Sequence, residues 1–600
     1  MGKRRQARQK KAKPWPLGLL GLAGAIGAFA VFLLMGDETP SIPAKNAANP
    51  HPVLPSIAPQ VVAKAQQQRP KPLGPKAQGP VYVALRAGGL RQAEAWSDAN
   101  PWEQGLTLAI QSALQDVPLD RVNAIDAVEI CLTFGYFEAD PASDQRPFSN
   151  VHRGVRGLEL RYGSEVTRWS PTRLNAGNIS FENAQRRFTR EHSLAEDRLA
   201  GLVQMRFFEA DQFLVSIQGG VNIEPMFRGN QVVDPGAVTW ESVQQLARSM
   251  AAWMEHQVGD DGRMTYHYFP SRGTESNGNN MIRQFMASLC LARLNGSEFA
   301  SSELEEKLFK NLAFNFQNFY RQDGPLGFVE FQGKAKLGAA ALAALAILEG
   351  PFREAYAGQL QALAATVTHL QQEDGAFRTF YKPVDRNDNQ NFYPGEALLF
   401  WAIQYTEAPD PALLRRIMRS FHHYRAWHRD PQNRNPAFVP WHTQAYALVW
   451  QKTKVPALAE FVFEMNDWLL ALQQWDRVSY PDMRGRFYDP ARPDYGPPHA
   501  SSTGVYLEGL IDAFAMARQM GDVKRAEAYR RAIVKGLRSV MQLQFADEVD
   551  MYYVSKKVAV QGGLRTTVYD NRIRVDNVQH NLMAVLKILA HFKAEDYRLQ

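Results

Sequence analysis

One rhythm governs residues 238–600: an amphipathic helix, a loop, then a more apolar helix rich in small residues, repeated six times. The first helices are expected to begin near Trp240, Glu303, Phe352, Pro411, Pro456 and Val523. The second are expected near Asn280, Leu337, Gly395, His442, Thr503 and Val578. A helix with one apolar stripe faces solvent on its other side, whereas one that is apolar all round, such as Leu337 to Gly350, must be surrounded. Six outer–inner pairs are enough to close a ring. The spacing therefore predicts an all-α (α/α)6 toroid, with a cleft where the loops meet the inner helices.

The chain ahead of the toroid is organised differently. Residues 1–14 carry Lys3, Arg4, Arg5, Arg8, Lys10, Lys11 and Lys13, and residues 15–35 are uncharged. As a helix, the 21 residues of that run rise about 31 Å, enough to cross the hydrocarbon core. The basic flank predicts a cytoplasmic start, with the rest of the chain outside. No small-residue cleavage site closely follows, which favours an uncleaved signal anchor over a cleaved signal peptide. A twin-arginine address at Arg4-Arg5 fits less well. The expectation is a membrane-anchored multidomain protein of the inner membrane, single-pass, with its C-terminal part periplasmic or extracytoplasmic. Residues 36–80, with ten prolines from Asp37 to Pro80, read as an extended linker.

The formal net charge of +7 comes from the basic flank, since its seven cations leave 61 Lys and Arg against 61 Asp and Glu. The remainder offers no basic stripe, which argues against nucleic acid as a partner. Cys131 and Cys290 are the two cysteines, and they fall in different domains. Neither a disulfide framework nor a thiolate zinc site is expected, and both thiols read as small buried groups. No metal site and no cofactor are predicted.

Residues 81–232 mix strand and helix signals, as in the strand-like VYVALRAGG and VEICLTFGYF and the helical PWEQGLTLAIQSALQDV, and predict a small α+β domain. Three stretches carry a resemblance: Val81-Tyr82-Val83 leading into Gly88-Gly89-Leu90-Arg91, the VEICLTFG strand, and Gly154 to Pro171. On these the region resembles the AMMECR-type domain family. The family signature runs Leu-Arg-Gly-Cys, whereas here Leu90-Arg91 is followed by Gln92-Ala93. The missing cysteine points to a docking or structural role rather than to that motif's chemistry.

The toroid loops have their own repeat. They read Gln257 to Gly262, Gln322-Asp323-Gly324, Gln371 to Phe377 and Gln473 to Asp476. Asp-Gly ends a helix and turns the chain, while the Gln and the aromatic are expected to staple one hairpin to the next. Gln-x-x-Asp-Gly-x-Phe, seen at Gln371 to Phe377, resembles the repeat of terpenoid-cyclase and prenyltransferase toroids, with related turns in six-hairpin glycosidases. The Asp-Gly acids, Asp374 among them, read as structural.

The loops of repeats three, five and six are long, aromatic and charged, which is where sites are built. Glu396, one residue past a Pro-Gly turn in an apolar helix, is the first catalytic candidate. Burial would raise its pKa toward use as a general acid, and the alternative is a first-turn glutamate stabilised by the helix dipole. Asp385 and Asp388 are candidate bases or solvated turn residues. His442 is a candidate proton shuttle or a packing histidine. Glu508, four residues before Asp512 on one face of an inner helix, is a further catalytic candidate or part of an outward polar stripe, and Asp576 likewise lies four residues before His580. First-turn polar groups at Asn280, Arg283, Lys336, Gln579 and His580 are expected at the same mouth. Tyr266, Tyr268, Tyr381, Tyr393, Trp441, Tyr488 and Tyr495 add rings for substrate binding, with Arg283 and His580 beside them.

A cleft of carboxylates and ring platforms suits a carbohydrate chain, because paired acids can protonate and hydrate a glycosidic bond. The first reading is an envelope-anchored protein that binds and processes a polysaccharide, as hydrolase, lyase or epimerase. The second is a non-catalytic scaffold or polymer-binding assembly factor of a cell-envelope complex. Terpene-type cyclisation ranks last, since no Asp-x-Asp-Asp motif is present.

Overall fold

The computed structural model describes residues 53–138, 150–194 and 202–599. The basic segment and the expected anchor at 15–35 lie outside them. Among the described residues no helix is long and apolar enough to cross a membrane.

The small domain is built on seven strands: β1 (Gln78–Ala87), β2 (Leu90–Ser97), β3 (Ala127–Glu138), β4 (Arg156–Tyr162), β5 (Glu165–Trp169), β6 (Gln204–Ser216) and β7 (Asn222–Met226). They form one sheet in the order β2-β1-β3-β6-β4-β5, with β7 also paired to β6. Side chains alternate across it. Val81, Val83, Leu85, Val128, Ile130 and Leu132 pack with helices α1 (Ala58–Gln67) and α2 (Trp102–Gln115). Tyr82, Ala84 and Cys131 form a separate cluster. Helices α3 (Leu119–Val122), α4 (Pro171–Ala176) and α5 (Phe181–Glu191) complete the domain.

Helix α1 corrects the linker expected over residues 36–80. Leu54, Ile57, Ala58, Val61, Val62 and Ala65 recur at helical spacing and are buried in the small-domain core. Pro59 sits in the first turn of α1, where a proline costs no hydrogen bond, so the proline content hid a helix.

Six helix pairs follow, each outer then inner: α6 (Trp240–His256) and α7 (Met281–Asn295); α8 (Ser302–Phe319) and α9 (Leu337–Leu348); α10 (Ala357–Leu370) and α11 (Tyr393–Glu407); α12 (Pro411–Arg429) and α13 (Phe438–Thr453); α14 (Pro456–Leu470) and α15 (Ala500–Gln519); α16 (Val523–Leu543) and α17 (Val575–His591). Each inner helix packs on the next, and α17 returns to α7, so the ring closes. Every residue of α9 is buried, as its composition requires. The third outer helix starts at Ala357 rather than near Phe352, because residues 351–356 form turns.

The loop glutamines act as staples. Gln371 Nε2 donates to Arg416 O at 2.9 Å and to Ser420 Oγ at 2.8 Å on α12. Gln473 Nε2 donates to Ala532 O of α16 at 2.8 Å. At the closure, Gly562 adopts φ +83°, and a Cβ there would lie 2.0 Å from Ser249 O of α6, so the backbones meet where no side chain fits. Asp374 accepts from Ala376 N and shapes its own turn. Gln322-Asp323-Gly324 differs: it is the exposed tip of a hairpin rather than a staple.

Short strands cross the loops: β8 (His267–Phe269), β9 (Thr274–Glu275), β10 (Tyr320–Asp323), β11 (Leu326–Phe331), β12 (Lys334–Lys336), β13 (Phe380–Lys382), β14 (Arg565–Thr567) and β15 (Asp570–Arg574). The β14-β15-β8-β9 sheet joins repeat six to repeat one. The small domain docks on the loops of repeats five and six. Arg228 pairs with Asp482 at 2.6 Å, both buried. Asn178 Nδ2 donates to Asp570 at 3.0 Å, and Asn571 Nδ2 donates to Asn175 O at 2.8 Å. The β1–β2 turn abuts Val554, and Arg86 lies over the Tyr552 ring at 5.1 Å.

Candidate active site

The N-terminal turns of all six inner helices converge on one cavity of about 560 Å³. Arg283 comes from α7, Lys336 from the N-cap of α9, Tyr393 and Glu396 from α11, and Trp441 from α13. Tyr506 comes from α15, and Asp576, Gln579 and His580 come from α17. The long loops add Arg386, Asp388, Tyr495, His499 and Arg574. This is the geometry a closed ring imposes, since every inner helix starts at the same end.

Glu396 is 2 % exposed, and its Oε2 is buried without a hydrogen bond. Burial raises its pKa to about 8, opposed by Lys336, so the carboxyl is protonated at neutral pH. Room for it is made by Gly338 on α9, where a Cβ would lie 1.9 Å from Glu396 Oε2.

Across the ring, His580 Nδ1 bonds to Glu508 Oε1 at 2.7 Å. Glu508 is fully buried on α15, and Arg293 Nη1 stands 3.9 Å from its other oxygen. A carboxylate that accepts from Nδ1 fixes the tautomer and leaves Nε2 as the basic nitrogen of a ring that lines the cavity. The Trp441 ring meets the imidazole edge-on at 6.0 Å.

The other two carboxylates are tied to arginines. Asp576 pairs with Arg283 at 2.7 Å and with Arg574. Burial alone would raise its pKa, but the two guanidiniums override that and hold it at about 2. Asp388 pairs with Arg386 in the exposed rim, and hydrogen bonding to that guanidinium lowers its pKa.

No family model matches this chain, and no curated protein sequence matches it. Solved structures similar to it include a family 76 glycoside hydrolase from a bovine Bacteroides thetaiotaomicron strain, at 10% identity over 78% of this chain and 96% of that one, TM-score 0.41. A sugar epimerase from a ruminal bacterium is 11% identical over 58% of this chain and 98% of its own, TM-score 0.43. An uncharacterised protein from Pyrococcus horikoshii is 15% identical over 29% of this chain and 95% of its own, TM-score 0.23.

Of the residues the sequence nominated, Asn280, Arg283, Lys336, Asp388, Tyr393, Glu396, Trp441, Tyr495, Gln579 and His580 line the cavity. Tyr266 stands behind Arg283, whose Nη1 donates to its hydroxyl at 2.9 Å. Glu508 lies one layer below, under His580. His442 is not brought to the cavity. It is fully buried, stacked on Phe438 at 3.5 Å, and its Nδ1 bonds to Phe438 O at 3.0 Å. Burial pushes its pKa down to about 3, so it is a neutral packing histidine. The reason is helical: one residue on from Trp441 is a rotation of about 100°.

Asp385 is exposed in the loop and absent from the cavity lining. Tyr381 packs on Phe328 at 4.8 Å and donates to Asp323. Tyr268 is buried in β8, and Tyr488 sits beneath Arg486. Neither tyrosine reaches the cavity. Sequence reasoning did not nominate Arg386, His499, Tyr506 or Arg574. The position immediately before an inner helix was a usable signal for Arg574, the N-cap of α17.

Proposed function

We propose that the cavity is the active site of a carbohydrate-processing enzyme in which Glu396 is the general acid and His580, positioned by Glu508, is the general base. The observation that carries this reading is the meeting of two different proton-transfer groups in one cavity: a carboxyl kept protonated by burial, and an imidazole whose Nδ1 is held by a buried carboxylate. An acid that keeps its proton and an oriented imidazole facing one space are the parts that acid–base chemistry requires. Tyr393, Trp441, Tyr495 and Tyr506 supply rings on which sugar faces stack.

The reaction classes are hydrolysis, elimination and epimerisation of a polysaccharide. Two-carboxylate hydrolysis needs a second free acid, and Asp388 and Asp576 are both held by arginines. Proton transfer through His580 fits the cavity better. Residues 15–35 complete the proposal as an inner-membrane anchor that holds the toroid outside the cytoplasm.

The test is turnover and binding by the purified full-length chain on a panel of envelope and extracellular polysaccharides, alongside Glu396→Gln and His580→Asn. Turnover by the wild type and its loss in both variants is the expected result. Binding without turnover, unchanged in either variant, would establish the scaffold reading instead.

A further inference from the structure

The cavity carries more cations than anions. Arg283, Lys336, Arg386 and Arg574 line it against Asp388 and Asp576, with Glu396 neutral. Arg386 is balanced by Asp388. Arg283 and Arg574 share the single carboxylate of Asp576, which leaves one guanidinium charge uncompensated. The Lys336 side chain makes no hydrogen bond or ion pair among the described residues. It is partly buried at the N-cap of α9, with its ammonium 6.0 Å from the Tyr393 ring centroid.

An ammonium in a partly desolvated cleft among like charges is costly to keep charged. Here burial, with Arg386, Lys334 and Arg283 behind it, presses its pKa down. An anion entering the cleft offsets both the burial and the repulsion. The excess is local, because the chain beyond its N-terminal flank holds equal numbers of acidic and basic residues. A positive cleft with low-dielectric walls concentrates an anionic ligand.

We infer that this cavity takes an anionic glycan, one whose sugar units bear carboxylate or sulfate groups, and that Lys336 is the residue that anchors the anion while the Arg283–Asp576–Arg574 cluster frames a second contact. The inference rests on the carbohydrate reading above and narrows its substrate class. Lys336 is a specificity residue in this scheme and transfers no proton.

The test measures binding of the full-length chain to two matched polymer pairs: polygalacturonate with its carboxyl-reduced form, and dextran sulfate with dextran. Polygalacturonate tests carboxylate recognition and dextran sulfate tests sulfate. At least one charged polymer is expected to bind about tenfold more tightly than its neutral partner. Lys336→Met should remove most of that difference, while Lys336→Arg should retain it. Lys452→Met, an exposed lysine in the last turn of α13, should change nothing. Equal affinity for charged and neutral partners, or an effect of Lys452→Met as large as that of Lys336→Met, overturns the anionic class and leaves the carbohydrate reading standing. No binding to any polymer, charged or neutral, overturns both.

Discussion

Glu508 and His580 lie on adjacent inner helices, and their side chains meet at 2.7 Å, with the carboxylate wholly buried and the imidazole at the cavity wall. The carboxylate orients the ring, so in the proposed mechanism Glu508 acts through His580. Glu508→Ala should lower kcat by about 10²–10⁴-fold with KM little changed. A variant that loses thermal stability but keeps the wild-type kcat would rule out the positioning role.

Glu396 makes stability depend on pH. Its folded pKa of about 8 stands above the ordinary 4.5, so the unfolded chain gives up a proton that the folded chain keeps. Its contribution is fully present below pH 4.5 and is lost as pH rises through 8. Glu396→Gln cannot ionise. Denaturant melts should show it more stable than wild type above pH 8, by on the order of 3–5 kcal/mol, and nearly equal near pH 4.5. Parallel pH curves for the two proteins would mean that the carboxyl is ionised as folded.

Gly338 and Glu396 are coupled by space. A methyl at 338 would sit 1.9 Å from Glu396 Oε2 and 2.7 Å from Tyr393 Cδ1. Gly338→Ala should destabilise by about 1–3 kcal/mol, as overpacking does. It should also displace the acid and reduce turnover. Combining it with Glu396→Ala should recover part of the stability loss, and simple additivity in urea melts would deny the contact.

The small domain is locked on through Arg228 and Asp482, each almost fully buried. Arg228→Ala leaves Asp482 as an unpaired buried charge and should cost about 3–5 kcal/mol. The double variant Arg228→Met/Asp482→Leu should be markedly less destabilised than either single change. Limited proteolysis provides a second readout, since loosening this contact should expose the repeat-five loop.

The toroid was legible because its signals are local. Outer helices carry a polar stripe, inner ones do not, and all twelve starts fall within five residues of where the pattern puts them, the inner starts set slightly early by Pro and polar first turns. The Gln staples were legible for the same reason. The cavity residues were legible in part. Glu396 and His580 stand at inner-helix starts, a property of position along the chain. Nothing local separates His442 from His580, since each lies on an apolar helix near its N-terminus. What separates them is how far each helix is rotated about its own axis within the ring. Helix α1 was missed because composition outweighed a clear apolar spacing from Leu54 to Ala65.

Helix order, the alternation of amphipathic and apolar segments and the placement of polar groups at one end were fixed by the sequence alone, because each depends on neighbours within a few turns. The tertiary structure decided which of those polar groups share a cavity, which carboxylate stays protonated and which are claimed by arginines. Burial and ion pairing depend on residues hundreds of positions apart, such as Arg283 and Asp576, and only closure of the ring brings them together.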